Sequence, residues 1–445
     1  MSTTQQYLDQ LHTDFTFSTA QLTGIVELFL HDMKEGLQGQ ASSLAMLPSF
    51  LTKPDGQETG IFLALDFGGT NVRVMLIKLT GQGNYTILKR QDVPLSNQSK
   101  NYDFTSRTST AAELFGFLAD QLAQLTQPGK TYLLGHTFSF PCRQTGTNQA
   151  ILLHWTKEIN TSGVVGHNVV DLLHQALADR GLSNIQPVTI TNDTVSALLA
   201  AAYQDRYADI GSICGTGHNT CYLEPKPPRF SHPTYINIES GNFDKISGNK
   251  YDALLDQYSS RPGAGKLEKM CAGRYIGELL RLVLLDVVTQ GLLFNGNCPV
   301  FLQTVGALSG WDVAVLQDAA ARPEQISLWL AKHSSPTAVS LDDREVLQHS
   351  ACLIATRSAR LAAASYAAIL KHIDPTLNSL HTISIDGSLY EKLPGYADTI
   401  SQTLQELVGV KAGQIKCVLT KDGSGIGAAI AAATTKKNRG SQITT

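Results

Sequence analysis

Charge is scarce in this chain, and neither sign prevails. Of 445 residues only 16% are Asp, Glu, Lys or Arg, with 35 Lys and Arg against 38 Asp and Glu, for a formal net charge of -3. A nucleic-acid surface needs a basic face, so that class of partner is excluded. Long apolar runs are also missing. The longest, 279–288, is interrupted by Arg281 and Asp286 and falls far short of a membrane span, so no membrane insertion is expected. The seven cysteines (Cys142, Cys214, Cys221, Cys271, Cys298, Cys352, Cys417) form no Cys-x-x-Cys pair, which argues against a disulfide framework and a zinc site. Residues 1–15 are polar and carry Asp9 and Asp14, unlike a secretory leader. A reducing cytoplasm is therefore the expected location. What is present is 42% apolar residues, in a chain long enough to bury about three quarters of its unfolded surface.

The pattern along the chain alternates strand and helix. Thr19 is read as the cap of a helix over 20–35, where Leu22, Ile25, Leu28, Phe29 and Met33 recur at helical spacing. After the loop at Pro54-Asp55-Gly56, residues 61–67 read as a buried strand, Gly68-Gly69-Thr70-Asn71 as a turn and 72–79 as a second strand. Further strands are expected at 131–136, 188–191, 210–214, 382–386 and 414–420. Helices are expected at 111–125, 168–179, 195–203, 275–288, 344–371 and 396–407, which together indicate an α/β fold. The segments ALDFGGTNVRVML (64–76) and SICGTGHNTCYLE (212–224) both run strand, Gly/Thr turn, strand. Two such hairpins suggest two related lobes that face each other.

Glycine turns of this kind let a phosphate oxygen approach backbone amides closely. Asp66, at the end of the first strand, is suited to hold the water shell of Mg²⁺, which usually binds through one or two carboxylates plus phosphates. Gly215-Thr216-Gly217 offers the same device from the other side, so the pair reads as a two-sided phosphate clamp. Asp422-Gly423-Ser424-Gly425 opens a helix whose N-terminus favours anions, and Asp386-Gly387-Ser388 ends a strand. Asn192-Asp193-Thr194 lies between a strand and a helix; Asp193 is either a helix cap or a general base at the carboxyl end of a parallel strand. Trp155-Thr156-Lys157 offers a sugar-stacking aromatic, a hydroxyl and a cation, and His136 reads as a structural histidine.

The order of these blocks carries more than any one of them. LALDFGGTNVRV (63–74), HTFSFPCRQT (136–145), WTKEI (155–159), ITNDTVSALLAAAY (190–203), ICGTGHNTCYLEP (213–225), INIESGNF (236–243), LEKMCAGRYIGELLRLVLL (267–285), ISIDGSLY (383–390) and TKDGSGIGAAIAAA (420–433) closely resemble the hexokinase family. The resemblance runs from about residue 20 to 433 and matches one unit of the family in length. It implies a two-lobed actin-like ATPase fold, ribonuclease-H-like in its duplicated core, with a cleft between a small and a large domain. Residues 61–192 with the C-terminal helix 426–445 would form the small domain. The large domain would comprise 193–425 with the N-terminal helical segment, residues 1–60.

The resemblance also implies transfer of phosphate from ATP, with Mg²⁺, to the 6-hydroxyl of a hexose, the first step of glycolysis. Glucose comes first, with mannose and fructose compatible. Asp193 matches the catalytic base, and Lys157 a residue that stabilises the transferred phosphoryl group. Ser139, Thr156, Lys157, Asn192, Asp193, Asn219, Glu239 and Glu268 match sugar-binding positions. Asp66, Gly68, Gly69, Thr70, Asn71 and Arg73 match the first phosphate motif, with Asp66 towards the metal. Gly215 and Thr216 match the second, and Asp386, Gly387, Gly423 and Ser424 the adenosine region. The partners are then small molecules, and a monomer or a homodimer is compatible with the composition. The sequence departs from the family pattern at Glu158, Ser240, Asp244 and Gly265. Gly265 stands where many relatives place a glutamine that helps hold the sugar. The competing reading is a catalytically weak, sugar-sensing regulatory homologue, against which the intact Asp193 argues.

Overall fold

The structure, a computed structural model, describes residues 3–69, 71–157, 159–228, 230–318, 322–335 and 339–442. Thr70 and Glu158 lie outside the described residues. Two mixed sheets form its framework. The first comprises β1 (Thr59–Phe67), β2 (Asn71–Gly81), β3 (Asn84–Pro94), β4 (Tyr132–Phe138) and β5 (Ile185–Thr191), in the order β5-β4-β1-β2-β3. The second comprises β6 (Ala208–Cys214), β7 (His218–Glu224), β8 (Thr234–Asn237), β9 (His381–Asp386) and β10 (Ile415–Leu419). It runs β8-β7-β6-β9-β10, with the short strand Leu47–Pro48 added beside β8.

The two sheets share one topology. In each, the first three strands form an antiparallel meander, and the fourth and fifth run parallel to the first. The two sequence segments that echo each other are therefore the first hairpins of two equivalent sheets. Asp66 pairs with Thr137 across β1 and β4, and Ile213 pairs with Asp386 across β6 and β9. Parallel strands present their carboxyl ends together, so these residues meet at one edge of each sheet.

Three apolar cores follow from this layering. One face of the first sheet packs on the helices Ala111–Ala123 and Val169–Asp179 through Leu65, Phe67, Leu118 and Leu173. The outer face of the second sheet carries the helices Thr3–Phe15, Thr19–Gln38, Gly273–Thr289 and Leu341–Ile373. Between the sheets lie the helix Asp193–Gln204 and the C-terminal helix Gly423–Gln442, which pack on each other. Their contact is backbone-close: a Cβ at Gly427 would lie 1.8 Å from the Ser196 carbonyl oxygen, so only glycine fits there. The C-terminal helix also lies on β1 and β4, and the helix after Asn192 on β6.

Two local expectations are corrected, and one strand is added. Ser18, not Thr19, caps the helix Thr19–Gln38, because Ser18 and Gln21 exchange the two hydrogen bonds of a capping box. The strand β3 had no counterpart in the sequence reading; it is a half-exposed edge strand carrying Lys89, Arg90 and Asp92, and charged edges hide strand periodicity. Trp155 is no free stacking platform. Its ring packs edge-on against Phe140, and its indole N–H donates to the Thr161 carbonyl at 2.8 Å. No helix among the described residues is long and apolar enough to cross a membrane.

Candidate active site

The site lies where the edges of both sheets face the start of the helix Asp193–Gln204. Asn192 caps that helix, its side-chain oxygen accepting from the Thr194 amide at 2.8 Å. Capping thus falls to Asn192, and Asp193 is the first helical residue. The Asp193 Oδ1 accepts from the Thr194 amide at 2.8 Å and hydroxyl at 3.2 Å, which leaves its other oxygen for a ligand. The Asp193 charge is felt by Asp66, Asp386 and Glu239, so it stands centrally among the carboxylates.

On one side of it is the hairpin between β1 and β2. Asp66 is buried and held at Oδ2 by the Ser424 hydroxyl at 2.6 Å and, more distantly, by Arg73 at 3.5 Å. Burial pushes the Asp66 carboxyl up, while Ser424 and Arg73 pull it down and Asp193 pushes it up. The first turn of the C-terminal helix thus brings Ser424 to Asp66. Arg73 also contacts Asp92 at 2.8 Å and Asp422 at 3.1 Å. Gly68 and Gly69 lie beside Ser139 and Lys157 respectively, and Asn71 starts β2.

Opposite is the hairpin between β6 and β7. The Gly215 amide donates to the Gly217 carbonyl at 3.1 Å, and the Gly215 and Thr216 carbonyls accept from the Gly273 and Arg274 amides. Gly387, at φ 133, presses against this turn; a Cβ there would lie 2.3 Å from the Cys214 carbonyl oxygen. The Asp386 carboxyl is pushed up to about 6, first by burial and then by Asp422 and Asp193, while the Gly423 amide pulls it down. The Gly423 amide thus meets the Asp386 carboxyl.

The remaining component is a set of hydrogen-bonding side chains. Lys157, at φ 57, donates to the Gly68 carbonyl and lies 5.4 Å from the Phe140 ring centroid. It exerts its charge on Asp66, Glu239 and Glu268. Burial pushes up the carboxyls of both Glu239 and Glu268. Glu268 accepts from the His218 amide at 3.4 Å, and Asn219 is the next residue along β7. Ser139 follows β4, its amide bonded to the Phe67 carbonyl at 3.1 Å, and its buried hydroxyl has no protein partner. An unsatisfied buried hydroxyl among carboxylates and amides fits a polyhydroxy ligand. Thr156 precedes Lys157, half-buried, and Gly265 caps the short helix Lys266–Cys271 in a left-handed conformation beside Glu268. His136 is fully buried and its pKa is pushed down to about 3, as befits a neutral structural histidine.

Sequence reasoning did not single out Asn237 or Phe140. Asn237 stands two residues before Glu239, a strand-like spacing that would put both on one side. Among the described residues no three or more His, Cys, Asp or Glu side chains gather as a metal cage. Asp66 is instead one buried carboxylate with Arg73, Lys157 and Asp193 acting on it, and a single carboxylate fits a cation that is also held by phosphates.

A duplicated sheet with a glycine hairpin at the corresponding edge of each half is the actin-like ATPase architecture, which the sugar kinases share. Two family models, both described as hexokinase, match residues 7–203 and 209–434. Hexokinase-1 of Schizosaccharomyces pombe is 33% identical over 464 residues, covering 98% of this chain and 92% of its own length. Hexokinase-3 of Homo sapiens is 33% identical across 96% of this chain, which spans 47% of that protein. A hexokinase crystal structure superposes with a TM-score of 0.87 at 31% identity, covering 97% of this chain and 99% of that one. The hexokinase from Schistosoma mansoni complexed with glucose does so with a TM-score of 0.83 at 32% identity, over 97% of this chain and 100% of that one. The chain belongs to the hexokinase family.

Proposed function

We propose that the protein transfers the terminal phosphoryl group of MgATP to the 6-hydroxyl of a hexose, glucose first, with mannose and fructose as further substrates. The observation that carries this reading is the position of Asp193, anchored by Thr194 with its charge on Asp66, Asp386 and Glu239. Phosphoryl transfer needs positioning and charge stabilisation more than covalent help. In this reading Asp193 accepts the proton of the attacking hydroxyl. Ser139, Thr156, Asn192, Asn219, Glu239 and Glu268 bind the remaining sugar hydroxyls, and Lys157 stabilises charge on the phosphoryl group. Hydroxyl-specific binding by carboxylates and amides rejects analogues that lack those hydroxyls, because a buried partner would be left unpaired.

The two glycine turns would hold the phosphates. Thr70, outside the described residues, belongs to the first by sequence, with Gly69, Asn71 and Arg73. Gly215 and Thr216 form the second, and Asp386, Gly387 and Gly423 line the nucleotide side. Mg²⁺, when bound, neutralises charge on the β- and γ-phosphates, and Asp66 would hold it through its water shell. We assign the small lobe to 61–192 with the C-terminal residues 426–445, and the large lobe to 193–425 with 1–60, so that Asn192 and Asp193 sit at the hinge. Closure over the sugar would exclude water and limit ATP hydrolysis. The reaction suits the reducing cytoplasm, where seven free cysteines persist, and a monomer or a homodimer would serve it alike.

The test is ADP formation with MgATP against glucose, mannose, fructose, glucosamine and no sugar. Strong glucose-dependent turnover with little in the sugar-free control is expected. Absence of signal with every hexose would overturn the reading and leave a sugar sensor.

A further inference from the structure

Asn237 ends β8, is buried, and touches two of the sugar-site residues. Its orientation is set from a distance. The Thr220 and Ser240 amides both donate to Asn219 Oδ1, at 2.7 and 3.2 Å. With its carbonyl end so fixed, Asn219 must turn its NH2 group outwards, and it donates to Asn237 Oδ1 at 2.8 Å. Asn237 in turn presents its own NH2 to Glu239 Oε1 at 2.7 Å. Flipping either amide would set acceptor against acceptor, so the relay has one direction. Glu239 itself sits at φ 56, a left-handed conformation that a non-glycine residue adopts only when its surroundings hold it there.

We infer that Asn237 is a positioning residue of the sugar pocket, transmitting a fixed donor orientation from the backbone through Asn219 to the Glu239 carboxylate. The inference rests on Glu239 being a sugar-binding acceptor, as proposed above. A donated N–H favours the ionised carboxylate and ties one oxygen, leaving the other for a sugar hydroxyl. Glu239 needs that help. Burial pushes its carboxyl up, and Asp193 and Glu268 push it further, whereas Asn237 gives the largest downward pull, followed by Lys157. Cys142 also faces it, but burial pushes that thiol up to about 12, so it stays neutral.

The experiment is Asn237→Asp, which keeps the size and removes the donor. At pH 8 two carboxylates then oppose each other; at pH 6 a shared proton restores a donor. The expected result is a glucose KM raised about 10- to 100-fold at pH 8, with kcat and the MgATP KM little changed and some of the loss recovered at pH 6. An unchanged KM, or a rise of the same factor at both pH values, would overturn the inference. If that variant fails to fold, Asn237→Ser replaces it: a shorter donor should raise the glucose KM severalfold without pH dependence between 6 and 8, and an unchanged KM again refutes it. Glu239→Gln runs in parallel. If it leaves the glucose KM unaltered, the sugar-binding reading itself has failed; if it raises KM while Asn237→Asp does not, only the positioning inference has.

Discussion

The two glycine hairpins occupy equivalent places in two equivalent sheets, yet they are held by different means. Around the first, side-chain charge does the holding. Arg73 reaches Asp92, Asp422 and Asp66, and Arg90 bridges Asp92 and Asp422, both at 2.7 Å. Around the second, backbone touches backbone. The Gly215 carbonyl accepts from Gly273 at 2.8 Å, and Gly387 leaves no room for a Cβ. Duplicated topology therefore decides where a glycine turn lies but not how it is kept in place. The first hairpin is ringed by charged side chains, and the second is packed backbone against backbone.

Breaking the second hairpin should cost most. Gly387→Ala places a methyl group 2.3 Å from the Cys214 carbonyl oxygen and 2.7 Å from the Gly215 nitrogen, all backbone atoms that cannot step aside. A displaced turn should lower kcat/KM for MgATP by up to about 100-fold, and the strained backbone should cost about 1–3 kcal/mol of stability. Steady-state kinetics and denaturant unfolding measure both; wild-type values would show that the turn is not held by this packing.

A smaller effect of opposite sign is expected from Asp386, which lies between the two hairpins. Its carboxyl is raised in the folded state, so the group's contribution to stability falls as pH rises from about 4 through about 6. Asp386→Asn should therefore raise Tm at pH 7.5 and give no such gain at pH 4, while raising the MgATP KM. A lower Tm at pH 7.5 would contradict this.

The smallest effect belongs to the charged ring of the first hairpin. Asp422 and Arg90 are each more than a third exposed, at 38% and 36% of their side chains, and such pairs contribute about 0–1 kcal/mol. Asp422→Asn should shift Tm barely, and less still at high salt. A loss of several kcal/mol would mean that charge stabilises the first hairpin as firmly as close packing does the second.

Much of the framework was legible because buried strands and glycine turns write short, dense signals. The strand 61–67, the turn after it and the helix after Asn192 stand out for that reason. The equivalence of the sheets was legible only as an echo of two hairpins, since the fourth and fifth strands of each half share no sequence. The edge strand Asn84–Pro94 was lost because its exposed charges carry no apolar period. In the site, the candidate ligands announce themselves by residue type, but their supports do not. Asn237 looks like any strand asparagine until Asn219 and Glu239 are seen on either side of it. Trp155 looked like a sugar platform and proved to be the wall of an aromatic cluster with Phe67, Phe138 and Phe140. Long-range pairing is a property of the folded chain, and no local pattern encodes it.

The most direct measurement is a calorimetric titration of the Asp193→Ala variant with glucose, beside its MgATP-dependent turnover. If Asp193 is the base that both hairpins and the sugar set surround, glucose still binds within about tenfold of wild type, and turnover falls about 10²- to 10⁴-fold. Near-normal turnover in that variant would contradict the account.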